Sequence, residues 1–270
     1  MQQGNGAMAK YQCFTLDNNG YKFNCYKYGQ GEKTLLIVHG AATESMGFDD
    51  FIEKFNNEWT VYIYDRRGYG KNDKPTRYDL VEQIKDLSVV AEFINRPFTL
   101  LAHSLGSTIA LAYAYQNPKY IQKLVLYEPF LCSILPKGHW YYDKLDKTKS
   151  LLWAGKKAEA MNVFFSLISY DKERQRPLSR QLLKTLRKNF DVFFDGEFID
   201  STLFKLEYEK LSMPVYVGVG ELSKGGVVED GIKIFNKKTN CQIFTTSGAH
   251  NMFYDRPQEF YDSIMPVLSL

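Results

Sequence analysis

The segment Phe98–Ala112, FTLLAHSLGSTIALA, places a serine where it could act as a nucleophile. An apolar, strand-like run ends at Ala102, the tetrapeptide HSLG interrupts it, and a helix-like run follows. A serine at such a sharp turn has an outward hydroxyl, and the N–H groups at the helix N-terminus point at the space beside it. The turn needs small neighbours: Gly106 is one, and Ala102 stands where G-x-S-x-G has its first glycine. The pattern predicts nucleophilic catalysis by Ser104, with a serine that only caps a helix as the alternative.

A serine hydroxyl is a weak nucleophile at neutral pH and therefore needs a base. The chain has four histidines: His39, His103, His139 and His250. His250 lies in the segment SGAHN, after the last predicted strand and before the closing helix. A serine first and a histidine last is the chain order for a strand–turn–helix nucleophile, so we predict His250 as the base. The alternative is a loop histidine that only bonds its own turn. His39 is expected to hold its loop, and His103 to point away from Ser104.

Backbone N–H groups could stabilise the negative charge on a carbonyl oxygen under attack. The loop Ala41-Ala42-Thr43 follows an early buried strand and can present one such group, and the N–H of Leu105 directly follows Ser104. Three histidines at strand ends would also suit a metal ion. None of them has the spacing of a ligand pair, and no zinc-type motif contains them. We therefore expect no metal site and no cofactor.

These groups need a scaffold that brings distant loops to one edge, and the strand pattern supplies one. The first two candidate strands alternate in polarity around an Asn-Gly pair and predict an edge hairpin. From Thr34 onward most candidates are continuously apolar, as in strands covered on both faces. Alternating strands and helices predict an α/β fold with a doubly wound, mostly parallel eight-stranded sheet, whose ligands bind beyond the carboxyl ends of the strands. The candidate strands are Tyr11–Leu16, Phe23–Tyr28, Thr34–His39, Thr60–Asp65, Phe98–Ala102, Lys123–Tyr127, Val215–Gly220 and Gln242–Thr246, and the candidate helices are Gly47–Phe55, Asp79–Ile94, Ser107–Gln116, Val228–Lys238 and Pro257–Leu268.

Residues 131–213 break this alternation and predict an inserted helical cap. The predicted domains are therefore a core of residues 1–130 and 214–270 and a cap of residues 131–213. Within the cap, helices are predicted at Ser150–Ala154, Lys156–Tyr170, Pro177–Phe190 and Leu203–Leu211. Its rings together are expected to roof the site, although for any single ring packing within the cap is the expectation. They belong to Trp140, Tyr141, Tyr142, Trp153, Phe164, Phe165, Phe193, Phe194, Phe198 and Phe204.

Composition excludes several function classes. Hydrophobic residues make up 44% of the 270 residues, enough for a large core, and a net charge of +3 gives little support to nucleic-acid binding. No apolar run reaches the roughly 18 residues needed to span a bilayer, no secretory signal is visible, and the four cysteines form no C-x-x-C motif. We expect a cytoplasmic protein with a small-molecule substrate and no nucleic-acid or membrane partner. Met1–Gly6 are expected to be disordered, and Met8 is a candidate natural start.

Five motifs follow one another along the chain: HG at His39, YDRRGYG at Tyr64, AHSLG at Ala102, YEP at Tyr127 and GAH at Gly248. They stand in the order found in the α/β-hydrolase superfamily, which the chain resembles over about residues 20–268. The motifs are specific for the fold and say almost nothing about the substrate.

The resemblance implies roles for several residues. Ser104 would be the nucleophile, His250 the base, and the N–H groups of Ala41 and Leu105 the oxyanion donors. The stretch Asp65–Gly70 would be a structural loop, and its glycines do not form the G-x-G-x-x-G of a dinucleotide site.

The acid that would orient His250 is where the sequence departs from the family. Relatives usually carry G-E-x-D after the seventh strand, whereas this chain has GELS, with Ser223 in place of the aspartate. A serine cannot stabilise an imidazolium by charge. We predict Glu128 as the acid, because some haloalkane dehalogenases carry theirs at the matching strand end, and Glu221 is the alternative. Two further carboxylates would require a rearranged loop: Glu229 and Asp230.

A serine nucleophile, rather than an aspartate, favours acyl transfer to water over dehalogenation. We predict a serine hydrolase that cleaves an ester, thioester or amide of a small apolar or aromatic acid through an acyl-enzyme. One alternative is a C–C hydrolase or a cofactor-free cyclase or lyase in a biosynthetic pathway. Another is a ligand-binding protein without turnover, which only the serine at position 223 favours.

Overall fold

The computed structural model describes residues 11–168 and 179–270. Two N-terminal expectations, disorder of Met1–Gly6 and a start at Met8, lie outside these residues, as do the predicted helix ends Tyr170 and Pro177. Eight strands form one sheet in the order β1-β2-β4-β3-β5-β6-β7-β8. The strands are β1 Tyr11–Asn18, β2 Tyr21–Gly29, β3 Lys33–Val38, β4 Trp59–Tyr64, β5 Phe98–His103, β6 Ile121–Tyr127, β7 Val215–Gly220 and β8 Gln242–Thr246.

The sheet has an antiparallel edge and a parallel body. β1 pairs with β2, and β2 with β4, in antiparallel register, whereas every other neighbouring pair is parallel. The edge hairpin turns at Asn19 and Gly20, both with positive φ, as the Asn-Gly pair predicts. The predicted strands, and the mostly parallel sheet they form, are thus confirmed.

Both faces of the sheet are covered, which explains the continuous apolar runs. In β3, Leu36 and Val38 belong to one buried cluster and Leu35 and Ile37 to the other. Successive side chains of a strand point to opposite faces, so every position must be apolar.

The helices are α1 Asp49–Ile52, α2 Leu80–Ile94, α3 Leu105–Gln116, α4 Trp140–Trp153, α5 Lys157–Ile168, α6 Arg180–Asp191, α7 Phe198–Leu203, α8 Val227–Thr239, α9 Met252–Asp255 and α10 Pro257–Ser269.

The described residues between β6 and β7 are largely helical, but one predicted helix there is too short and another is wrong. The helix expected at Ser150–Ala154 is only the end of α4, which begins ten residues earlier and buries Tyr141, Leu145 and Thr148 at helical spacing. The segment 204–211, predicted as helix, is not helical, because Phe204 at the end of α7 adopts an extended backbone. Its apolar residues recur at every second or third position and pack against the core without forming a helix or a strand.

The predicted helix Gly47–Phe55 is also interrupted. A 3₁₀ turn, Ser45–Phe48, leads into the short helix α1. In the described ranges, 11–168 and 179–270, there is no helix long and apolar enough to cross a membrane.

Candidate active site

Ser104 lies in a strained turn between β5 and α3. Its φ of 51° and ψ of −123° are rare for a residue other than glycine. Its N–H donates to the Tyr127 carbonyl (3.1 Å) and its own carbonyl accepts from the N–H of Phe130 (3.0 Å), so β6 and the segment after it hold the turn. At Gly106 a Cβ atom would lie 2.5 Å from the His39 carbonyl oxygen, which explains the glycine.

The structure brings three sequence-predicted residues into one buried chain of contacts. The Ser104 hydroxyl lies 3.0 Å from Nε2 of His250, 146 positions away. Nδ1 of the same ring lies 3.3 Å from Oε2 of Glu128. In the neutral tautomer with hydrogen on Nδ1, the hydroxyl donates to Nε2 and the ring donates to the carboxylate. This arrangement can remove a proton from the serine and stabilise the resulting imidazolium.

Glu128 occupies a special backbone position at the end of β6. Its φ is 47°, its side chain is fully buried, and its Oε1 accepts the N–H of Gly220 at the end of β7 (2.6 Å). The alternative acid, Glu221, is exposed and has no hydrogen bond to His250 among the described residues. The other two candidates are engaged elsewhere: Glu229 accepts from the N–H of Gly225 (2.7 Å) and Asp230 lies 3.3 Å from His139. Only Glu128 among these carboxylates is therefore placed to orient His250.

Ser223, which replaces the usual aspartate, is buried, and its hydroxyl has no hydrogen-bond partner among the described residues. The Ser223 hydroxyl therefore makes no hydrogen bond to His250.

The predicted oxyanion donors border the same space. Ala41 and Leu105 line a pocket together with Ser104 and His250. Neither N–H donates to another group within the described ranges, since Leu105 begins α3 and the first N–H groups of a helix have no partner inside it. Two free N–H groups beside a serine hydroxyl can bind a developing oxyanion.

The pocket above Ser104 is apolar. Including its opening to solvent it has a volume of about 510 Å³. Of the ten inserted-segment rings considered above, three line it: Phe164, Phe165 and Phe193. Phe130, Leu186 and Phe190 complete the apolar wall, while Ser201 and Asn251 add polar groups. The remaining rings considered do not line this pocket, and several of them pack in the core or lie exposed, as Trp153 does.

Comparison with known proteins decides the family. A profile of the alpha/beta hydrolase fold family matches residues 33–192. This chain belongs to the alpha/beta hydrolase fold family. The resemblance inferred from the five motifs is thus confirmed, as is the predicted fold class.

Proteins similar to this chain carry names that refer to different activities. Cis-3-alkyl-4-alkyloxetan-2-one decarboxylase of Shewanella oneidensis is 26% identical over 180 residues, which are 62% of this chain and 54% of that protein. The chain thus spans about half the length of this curated relative. Among solved structures, Est816, an N-acyl homoserine lactone degrading enzyme, has a TM-score of 0.74 at 18% identity and covers 94% of this chain and 99% of its own. The esterase EaEST from Exiguobacterium antarcticum has a TM-score of 0.72 at 16% identity, and the match covers 97% of this chain and 100% of the esterase chain. At such identities the structural likeness shows the fold alone.

Two buried histidines form hydrogen bonds with the backbone around the site. His39 donates from Nδ1 to the Gly40 carbonyl (2.9 Å) and accepts the N–H of Arg66 at Nε2 (2.9 Å), so it links two loops as expected. His103 bonds the His250 carbonyl through Nε2 (2.8 Å) and makes no hydrogen bond to Ser104 within the described residues. Burial holds the pKa of both rings well below the ordinary value, and the nearby charge of Arg66 lowers it further. Both rings are therefore neutral near pH 7.

A second buried network beside the site was missed by sequence reasoning. Arg66 and Glu197, 131 positions apart, form an ion pair of 2.7 Å with both side chains almost fully buried. Gln83 accepts from the guanidinium of Arg66 (2.5 Å) and donates to Glu197 (2.8 Å). A buried arginine requires such a partner. In the sequence, Arg66 of the YDRRGYG motif was therefore the only signal of this network, and it does not identify Glu197 as its partner.

The described part of the chain contains no cluster of three or more His, Cys, Asp or Glu residues that could hold a metal ion. Cys13, Cys25, Cys132 and Cys241 are free thiols.

Proposed function

We propose that this chain is a serine hydrolase that cleaves an ester, thioester or amide of a small apolar or aromatic acid through an acyl-enzyme. The observation that carries the proposal is the uninterrupted chain from the Ser104 hydroxyl through His250 to Glu128, at 3.0 and 3.3 Å. A serine in this setting is the weak nucleophile that a neighbouring imidazole activates. Besides Ser104, His250 and Glu128, the proposed site includes the free N–H groups of Ala41 and Leu105 as oxyanion donors.

The mechanism has two halves. His250 takes the hydroxyl proton as Ser104 attacks the carbonyl carbon, and the tetrahedral oxyanion binds the N–H groups of Ala41 and Leu105. The imidazolium, stabilised by Glu128, gives its proton to the leaving group, and an acyl-enzyme remains. Water then attacks the acyl carbon while His250 acts again as base, and the acid leaves with Ser104 restored.

The apolar wall supports the choice of acyl group. Phe164, Phe165, Phe190 and Phe193 offer rings, not charges, to whatever is bound above Ser104. Burial of a hydrocarbon or aromatic acyl group there is favourable by about 25 cal/mol per Å². In this proposal residues 131–213 act as a cap that covers the substrate, and residues 1–130 and 214–270 act as the catalytic core.

A fluorophosphonate probe tests the nucleophile. Peptide mapping of the labelled protein is expected to find the adduct on Ser104, and Ser104→Ala is expected to lose both labelling and hydrolysis of a p-nitrophenyl ester. Ser107→Ala is the matched control, since Ser107 is buried three residues further on and donates to the Ala102 carbonyl (3.1 Å). Hydrolysis that persists in Ser104→Ala would overturn the proposal.

One relative favours a second candidate, a lyase. The Shewanella oneidensis relative is named as a decarboxylase of an oxetan-2-one, which is a four-membered cyclic ester. The same pocket could accept such a ring. Incubation with a 3,4-dialkyl β-lactone separates the two activities, because hydrolysis yields a β-hydroxy acid and decarboxylation yields an alkene and carbon dioxide. Alkene in place of the hydroxy acid would favour the lyase.

A further inference from the structure

The peptide between Gly40 and Ala41 is held from its carbonyl side. The Gly40 oxygen accepts hydrogen bonds from Nη2 of Arg66 (2.8 Å), from Nδ1 of His39 (2.9 Å) and from the Thr43 hydroxyl (3.1 Å). A trans peptide is planar, so its C=O and N–H point in opposite directions. Donors that fix the Gly40 carbonyl therefore also fix the direction of the Ala41 N–H, which belongs to the same peptide.

Arg66 in turn is held by a carboxylate from the inserted helical segment. Both of its terminal nitrogens bond Glu197, at 2.7 and 3.1 Å, and the pair is buried. Burial by itself opposes the charge, but Glu197 and Tyr69 raise the pKa of the guanidinium above its ordinary value. The Tyr69 hydroxyl also bonds Glu197 and accepts the N–H of Ala42 (3.3 Å). Glu197 thus supports contacts to two residues of one loop, Gly40 and Ala42, which flank Ala41.

Glu197 ends an unusual element that also reaches the pocket. The π-helical turn Val192–Glu197 joins α6 to α7, and its second residue, Phe193, lines the space above Ser104. Single π-helical turns inside helices are rare and occur often at functional sites. Here one turn contributes a ring to the pocket wall and a carboxylate to the network behind the oxyanion peptide.

We propose that Glu197 is a positioning residue that acts through Arg66 to aim the Ala41 N–H at the oxyanion. This inference rests on the proposed function of the same site. The cation at the carbonyl end polarises the peptide, because hydrogen bonds in series strengthen one another, and so makes its N–H a better donor. A misaligned donor weakens binding of the tetrahedral oxyanion and leaves binding of the substrate almost unchanged.

Glu197→Gln tests the role, because the amide keeps the size and one acceptor but removes the charge. We expect kcat to fall roughly 10- to 100-fold, less than or comparable to removal of one oxyanion donor, with KM changed by less than about threefold. Affinity for an aryl trifluoromethyl ketone, which Ser104 would convert into a tetrahedral oxyanion, should fall by the same factor as kcat/KM. If Glu197 had a merely structural role, the loss of ketone affinity would not match the loss of kcat/KM.

The adjacent ion pair offers a matched control. Arg67 and Asp86 form an equally buried pair of 2.6 Å that makes no bond to Gly40 within the described ranges. Asp86→Asn is expected to lower the melting temperature and to leave kcat and ketone affinity within about threefold of the wild-type values. If Glu197→Gln behaves like this control, the inference is wrong. A rise in KM alone would also overturn it, since that would indicate a role in the pocket wall.

A second variant covers the case in which Glu197→Gln does not fold. Tyr69→Phe keeps the ion pair and removes only the hydroxyl that joins Glu197 to the Ala42 N–H. We expect a smaller loss of kcat, again matched by the loss of ketone affinity, and an unmatched loss would contradict the inference. Failure of the proposed function is distinguishable, because the wild-type protein would then neither be labelled at Ser104 nor bind the ketone.

Discussion

Glu128 contacts His250 from the end of β6, with Oε2 at 3.3 Å from Nδ1, while its other oxygen is held by the Gly220 N–H at the end of β7. The carboxylate thus bridges two neighbouring strands and needs no residue from the loop after β7. Ser223, in that loop, is left as a buried hydroxyl. A carboxylate at either strand end can serve one histidine, because parallel strands bring their carboxyl ends to one edge.

Loss of a carboxylate charge should lower kcat strongly at Glu128 and only slightly at Glu221. Glu128→Gln is expected to lower kcat by roughly 10²- to 10⁴-fold, because an amide neither stabilises the imidazolium nor selects the tautomer with hydrogen on Nδ1. Glu221→Gln, which changes the exposed carboxylate after β7, should stay within about twofold. Steady-state kinetics on a p-nitrophenyl ester measures both, and the reverse ranking would assign the acid to Glu221.

The backbone strain at Ser104 should change the free energy of unfolding of variants at this position. With φ at 51° and ψ at −123°, alanine remains strained there, whereas glycine adopts this conformation freely. Ser104→Gly should therefore be more stable than Ser104→Ala by about 1 kcal/mol, although glycine usually destabilises a folded chain relative to alanine. Urea unfolding of the two inactive variants gives the difference. An alanine variant of equal or greater stability would mean that the turn is relaxed.

Gly106 should tolerate no side chain. A Cβ atom there would lie 2.5 and 2.6 Å from the carbonyl oxygens of His39 and Val38, and a backbone contact cannot be relieved by a rotamer change. Gly106→Ala is expected to destabilise the protein by about 2 kcal/mol or more and to lower activity. Gly231→Ala is the control: its Cβ would lie 3.1 Å from the Leu131 side chain, inside α8, where alanine favours the helix by about 1 kcal/mol. Thermal melts of both variants test the contrast.

The aromatic wall should set the length of the acyl group. Phe190 is half-buried and lines the pocket, so Phe190→Ala is expected to raise kcat/KM for an octanoyl ester relative to an acetyl ester by about tenfold or more. Trp153→Ala should leave this ratio unchanged, since Trp153 is 81% exposed and does not line the pocket. A chain-length series of p-nitrophenyl esters gives the ratios, and equal effects of the two substitutions would remove Phe190 from the substrate site.

The buried His39 should make stability depend on pH. Burial and the nearby Arg66 charge lower the pKa of His39 in the folded state, whereas the unfolded histidine titrates near 6.5. As pH falls through about 6.5, only the unfolded chain takes up this proton, so the folded state loses up to about 1.4 kcal/mol per pH unit. The stability deficit of His39→Gln relative to wild type is therefore expected to be largest above pH 7 and to shrink towards pH 5. Urea unfolding at several pH values measures it, and a deficit that does not change with pH would show that folding leaves the pKa of His39 unchanged.

Local sequence pattern was sufficient for most of the fold. The strands were predictable because burial on both faces demands unbroken apolar runs, and the Asn19-Gly20 turn is a local property of two residues. The predicted helix is wrong over residues 204–211, where apolar residues recur at every second or third position. The chain there is neither helix nor strand and packs against the core, and that conformation depends on neighbours far away in the sequence.

The sequence by itself determined the family, the strand-to-helix turn at Ser104 and the short set of histidines and carboxylates that could accompany it. Only the tertiary structure decided that Glu128, and not Glu221, lies against His250, and that Glu197 lies against Arg66, 131 positions away. The reason is physical: side-chain spacing along one element is fixed by local geometry, whereas the partner of a buried charge is fixed by how separate elements pack. A motif of a few residues therefore indicates which groups are available, and packing determines which of them meet.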